Sequence, residues 1–179
     1  MQIILLTHER EVSRPTNTGQ IALKCFPQYC QRIVWARTTP DAVLLEKLQQ
    51  PDCALLFPED MVAENKNFAE LHHTNNDVSK VGRLGEMDTS DAIKALPSTL
   101  VILDATWQEA RKMLRRSAYL KEAKKYALTA THDSQFKLRR NQVEGGLCTI
   151  ECIMELFKQA KMTSQAEALA AEFAHMLDK

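Results

Sequence analysis

An α/β fold, with a mostly parallel sheet and helices on both faces, is predicted from two observations. Short apolar runs such as IILLT and CALLF are continuous instead of alternating with polar residues, the pattern of strands covered on both sides. Segments with helical spacing fall between them, and parallel neighbours need such crossovers to bring the chain back to the same end of the sheet. The chain of 179 residues suits a single domain over 1–179, and its 45% hydrophobic content can fill one core.

The first strand is predicted over Ile3–Thr7 and a short helix in TGQIALKCF after it. RIVWA (32–36) predicts a second strand, and DAVLLEKLQQ (41–50) a helix that Pro51 stops. CALLF (53–57) predicts a third strand, ended by Pro58. Residues 59–97 are polar in the middle and predict a loop before a short helix over Asp91–Leu96. TLVILD (99–104) is the clearest strand. Behind it Thr106 and Glu109 form a T-x-x-E capping box, which fixes the strand-to-helix turn at Asp104-Ala105. YALTA (126–130) predicts a fifth strand. TIECIMELFKQA (149–160) and SQAEALAAEFAHML (164–177) predict two closing helices, capped by Thr149 and by an S-x-x-E box at Ser164 and Glu167.

Formal net charge is zero, so total charge selects no partner. The five cysteines, Cys25, Cys30, Cys53, Cys148 and Cys152, show no C-x-x-C spacing, and His72-His73 lack a third ligand, so no metal site is expected. The odd cysteine count and an apolar run, Ile3–Leu6, too short for a leader or a membrane span predict a soluble, cytoplasmic protein with reduced thiols. Oligomeric state is not set by the sequence.

Ligands of open parallel sheets sit beyond the carboxyl ends of the strands. Thr7-His8-Glu9, Phe57-Pro58 and Asp104-Ala105-Thr106-Trp107 occupy those ends. Asp104 either caps its turn or serves chemistry, since a carboxylate beside a helix N-terminus is held in an anion-stabilising field. Trp107 either packs as a staple or stacks on a planar ligand, and spacing alone favours packing. EGGLCT (144–149) is an ordinary turn or a loop that lets a ligand reach backbone N–H groups. Cys148 and Cys152, one helical turn apart, read as core. Basic residues concentrate between 111 and 140 against only Glu122 and Asp133. Arg111, Lys112, Arg115 and Arg116 recur there at helical spacing, as a solvated face or a track for a polyanion such as RNA. No P-loop, G-x-G-x-x-G, G-x-S-x-G or zinc-deaminase signature is present.

Asp104-Ala105-Thr106-Trp107 resembles the Asp-x-Thr-Trp motif of the DTW-domain family. SRPTNTGQIA (13–22), LLFPED (55–60), DATWQEARKMLRRSAYL (104–120) and FKLRRNQVEGGLCTIEC (136–152) are similar to further family blocks, in family order and across most of the chain. Its tRNA-uridine aminocarboxypropyltransferase branch is the most similar. The resemblance implies a fold related to SPOUT RNA methyltransferases, with a C-terminal knot. The implied activity is transfer of the 3-amino-3-carboxypropyl group from S-adenosylmethionine to N3 of a tRNA uridine in the variable loop, releasing methylthioadenosine. Rival readings are a SPOUT-like methyltransferase and a non-catalytic RNA-binding module. The cysteine cluster that many members carry ahead of the first strand is absent, so no zinc is carried over, and Ala105 replaces the usual glycine.

By match to these blocks, Asp104 is the expected catalytic residue, as base or as the group that orients the donor. Phe57, Pro58, Asp104, Thr106, Trp107, Leu147, Cys148, Thr149 and Glu151 are expected around S-adenosylmethionine. Arg14, Arg37, Arg111, Arg115 and Arg116, with Lys137, Arg139 and Arg140, are expected to meet tRNA phosphate or the donor carboxylate.

Overall fold

The computed structural model describes residues 1–57, 95–128, 134–136 and 146–178. Five strands form one sheet: β1 (Gln2–Thr7), β2 (Cys30–Val34), β3 (Cys53–Phe57), β4 (Thr99–Asp104) and β5 (Lys125–Ala127), in the order β2-β1-β4-β3-β5. Every neighbouring pair is parallel. The described helices are α1 (Gly19–Cys25), α2 (Ala42–Gln49), α3 (Trp107–Arg116), α4 (Ala118–Glu122), α5 (Thr149–Gln159) and α6 (Thr163–Leu177), with a 3-10 turn at Glu9–Glu11. The α/β class and the parallel sheet are as the sequence predicts. The knot implied by the resemblance turns on the path of residues 129–133 and 137–145, which lie outside the described residues, as do His72, His73 and most of the helix expected over Asp91–Leu96.

Strand residues alternate between two cores because successive side chains point to opposite faces. Ile3, Leu5, Leu100, Ile102, Ala54 and Leu56 face α1, α5 and α6, where Ala22, Ile153, Phe157 and Leu169 meet them. Ile4, Leu6, Val101, Cys53 and Leu55 face the other way, toward Leu44 of α2, Met113 of α3 and Leu120 of α4. With both faces covered, β1 has no polar position from Ile3 to Leu6, which is why its sequence reads as a continuous apolar run.

Several boundaries differ from the sequence reading. β2 runs from Cys30 to Val34 instead of Arg32 to Ala36, because its register with Ile3–Thr7 is exhausted at Val34 and Trp35 adds only one N–H bond to the Thr7 carbonyl. β5 begins one residue early, at Lys125, while residues 129–130 lie outside the described residues. Helix α5 is capped by Cys148, not Thr149: Cys148 is extended and its N–H donates to Glu151 Oε2, which leaves Thr149 as the first helical residue. Helix α6 starts at Thr163, so Ser164 lies inside it and donates to Gln165 Oε1 instead of capping.

The cause of that last shift is the tight end of α5. Lys161 has φ 59°, its N–H donates to the Lys158 carbonyl, and the Met162 N–H donates to the Phe157 carbonyl. This is a Schellman closure with lysine where glycine is usual. Between α3 and α4 the chain breaks at Ser117, which is extended and buried; its hydroxyl accepts from Trp35 Nε1 at 3.0 Å.

Candidate active site at the carboxyl end of the sheet

The β1–β4 register sets Thr7 beside Asp104 at the last pair of both strands. Asp104 is 2% exposed, and both carboxylate oxygens hold donors from distant parts of the chain. Thr7 Oγ1 donates to Oδ2 at 2.9 Å, Asn17 Nδ2 to the same oxygen at 2.9 Å, and Thr149 Oγ1 to Oδ1 at 3.0 Å. A buried carboxylate is tolerated only when paired in this way. Asn17 spends its other end on α1, accepting from the Gln20 N–H at 3.1 Å. One amide therefore caps a helix and holds the carboxylate.

Gly19 brings α1 close enough for this contact. A Cβ there would lie 2.9 Å from Asp104 Oδ1 and 3.0 Å from Leu5 Cδ1, so only glycine lets the first turn of α1 seat against the carboxylate. The α5 side is joined by Thr18 as well, whose hydroxyl accepts from the Ile150 N–H at 3.3 Å and so satisfies a free donor of that helix end. Asp104 is thus the point where β1, β4, α1 and α5 meet, in the field of two helix N-termini.

The capping box predicted at Thr106 is present. Thr106 N–H and Oγ1 donate to Glu109 Oε2 at 3.2 and 2.8 Å, and the Glu109 N–H donates to Thr106 Oγ1 at 3.3 Å. Burial raises the Glu109 carboxyl, but these Thr106 bonds, with His8 and Arg14 nearby, outweigh it and hold the group below its ordinary value. Trp107 is half-buried, and Gly146 lies against its indole: a Cβ on Gly146 would fall 2.7 Å from Cζ2. The second glycine of EGGLCT is there so that the backbone can lie on the tryptophan.

Glu151, 1% exposed, is also fully engaged. It accepts from Ser134 Oγ and the Gln135 N–H at 2.6 Å each and from the Cys148 N–H at 2.8 Å. It therefore latches residues 134–136 to α5, and Phe136 beside them packs on Phe173 at 6.2 Å between ring centroids. Leu147 is buried. Burial, with Glu151 beside them, pushes the thiols of Cys148 and Cys152 up, the latter to about 12, which matches core cysteines and not nucleophiles. Pro58 lies outside the described residues, and of Phe57 only the backbone is described.

His8 and Trp35 belong to this end of the sheet although spacing did not single them out as a pair. Their rings stack at 5.4 Å and 25°, and the His8 N–H donates to the Asp104 carbonyl at 3.2 Å. His8 Nδ1 accepts from the Arg10 N–H, which places the proton of the neutral ring on Nε2. Of the residues around Asp104, the sequence marks Thr7 only through the polar strand end Thr7-His8-Glu9, and Asn17 and Gly19 only through the N-T-G within 13–22.

Arg111, Lys112, Arg115 and Arg116 are exposed along α3, anchored by buried Met113, and none pairs with a carboxylate among the described residues. Arg14 and Arg37 are exposed after β1 and β2, Arg14 bonded to buried Glu11. Lys137, Arg139 and Arg140 lie outside the described residues. No group of His, Cys, Asp and Glu able to hold a metal occurs among the described residues, and no described helix is long and apolar enough to cross a membrane.

A family model for the DTW domain matches residues 1–179. No solved structure matches the chain.

Proposed function

The chain belongs to the DTW-domain family, a membership consistent with a tRNA-modifying role, and from that premise we propose that it transfers the 3-amino-3-carboxypropyl group of S-adenosylmethionine to N3 of a uridine in the tRNA variable loop. The observation that carries this reading is the convergence of three separate blocks on one carboxylate. Asn17 and Gly19 come from 13–22, Asp104 from 104–120, and Thr149 from 136–152. Segments far apart in sequence that meet at a strand-end carboxylate mark the place where an open parallel sheet binds its ligand.

In the reaction the uridine N3 forms a bond to the methionine γ-carbon while the carbon–sulfur bond breaks. The electron pair goes to sulfur, neutral methylthioadenosine leaves, and the N3 proton passes to solvent. The sulfonium is already a good leaving group, so alignment decides the outcome: the γ-carbon must face the nucleophile and the methyl must not. The fit of the donor follows from what the side chains already hold. Asp104, Thr106 and Glu151 are bonded within the chain, and so are the Thr106 and Cys148 N–H groups, which leaves the backbone of Ala105, Trp107, Leu147 and Thr149 and the walls of Leu147 and Trp107 to receive it. Asp104 is then a positioning residue that fixes the elements around the donor. The cations of α3, unpaired among the described residues, provide a phosphate track for the tRNA.

The test is nucleoside mass spectrometry of tRNA from a strain lacking this gene. Aminocarboxypropyluridine should disappear and return with the wild-type gene. Its persistence in a strain without a duplicate gene would overturn the proposal, and loss of a methylated uridine instead would favour the methyltransferase reading.

A further inference from the structure

Arg32, a partly buried residue, carries the only buried side-chain polar atoms that go unmatched among the described residues. It stands on β2 opposite Leu5 of β1, and its Nη1 makes only a 3.4 Å bond to the Val12 carbonyl, which already accepts from Gln20 Nε2 at 3.1 Å. Nε and Nη2 are buried and have no hydrogen-bond partner among the described residues. These two nitrogens form one edge of the guanidinium, with parallel N–H bonds spaced to grip a pair of oxyanion oxygens. An always-charged group with that edge empty bears the full desolvation of both donors, and proteins rarely keep such a group without a use.

A purely structural arginine would be matched by an acceptor of the loop it touches. The loop after β1 does bury a carboxylate, Glu11, but that group pairs with Arg14. The position is close to the candidate active site through two contacts. Leu5, the cross-strand neighbour of Arg32, packs beneath Gly19, and Gly19 lies against Asp104.

We propose that the Nε–Nη2 edge of Arg32 is a binding site for an oxyanion, supplied by the carboxylate of the donor's amino-acid end or by a phosphate of the RNA. The loop from His8 to Asn17 meets the guanidinium through the Val12 carbonyl on Nη1, and it shifts when the oxyanion arrives. The identity of the two oxyanions rests on the proposed function; the empty edge does not.

The experiment compares wild-type protein with Arg32→Met, which keeps the length and apolar stem but removes the charge. Without ligand, Arg32→Met should melt at the same temperature as wild type or higher, because an unmatched buried charge is gone. Inorganic phosphate should raise the melting point of wild type and not of the variant. A loss of roughly tenfold or more in S-adenosylmethionine affinity with tRNA binding unchanged assigns the carboxylate. A comparable loss in tRNA affinity with donor binding unchanged assigns the phosphate. A lower melting point for free Arg32→Met, or donor and tRNA affinities both equal to wild type, overturns the proposal. If wild type itself binds neither S-adenosylmethionine nor tRNA, the proposed function fails, and the melting and phosphate measurements still decide the role of Arg32.

Discussion

The Thr149 hydroxyl donates to Asp104 Oδ1 at 3.0 Å, joining the first turn of α5 to the end of β4 across 45 residues of sequence. With Thr7 and Asn17 on the other oxygen, the carboxylate holds four elements in one arrangement. What the side chain does for catalysis follows from what it holds in place.

Asp104→Ala should therefore cost at least about 3 kcal/mol of stability in urea denaturation, since it leaves three donors, Thr7, Asn17 and Thr149, unmatched at about 1–3 kcal/mol each. Asp104→Asn should cost about 1–2 kcal/mol, because the Thr149 hydroxyl can turn to accept from the new amide. If Asp104 positions the site, the Asn variant transfers slowly while its pH–rate profile keeps the wild-type shape. A profile that loses a limb would identify Asp104 as the base.

Gly146→Ala tests the contact between the glycine loop and Trp107. The added methyl would fall 2.7 Å from the indole Cζ2, so the ring or the loop must shift at a cost of about 1–3 kcal/mol. Transfer should fall with it, and tryptophan fluorescence should report the altered packing. Unchanged emission and full activity would mean that the contact is slack.

The capping box gives a pH dependence with a defined sign. Glu109 has a lowered pKa in the folded protein, so its contribution is fully present above the ordinary Glu value and is lost as pH falls through the folded one. Wild type should exceed Glu109→Ala in stability by about 1 kcal/mol at neutral pH, and the gap should close as the solution is acidified below pH 4.5, the ordinary value. Paired thermal melts across that range measure it; a gap that widened in acid would contradict the box.

Arg115→Gln addresses the α3 stripe. Arg111 and Arg115 stand about 6 Å apart along the helix axis, and removal of one phosphate contact should lower the log–log salt slope of tRNA binding by about 1. Affinity should drop for all tRNAs alike. An unchanged slope would place the phosphate track elsewhere.

The sheet was legible because its signals are local. β3 and β4 carry their boundaries in the apolar runs CALLF and TLVILD, and the Thr106–Glu109 box lies within one turn. Thr149 misled because its hydroxyl serves Asp104, a partner the helix pattern does not reveal, while Cys148 took the cap. Ser164 misled because the closure at Lys161 sets where α6 begins. The donors to Asp104 were illegible for a related reason: Thr7 reaches it through the β1–β4 register and Asn17 through the seating of Gly19, both long-range consequences of packing. Asp104 itself stood out at a strand end, yet only its 2% exposure shows that its oxygens face the chain.

The most direct measurement uses S-adenosylmethionine labelled separately in the methyl group and in the aminocarboxypropyl carbons, incubated with purified protein and unmodified tRNA. The account predicts that the carboxypropyl label enters a tRNA uridine while the methyl label leaves as methylthioadenosine. Methyl label in the RNA, with the carboxypropyl label recovered in S-adenosylhomocysteine, would contradict it.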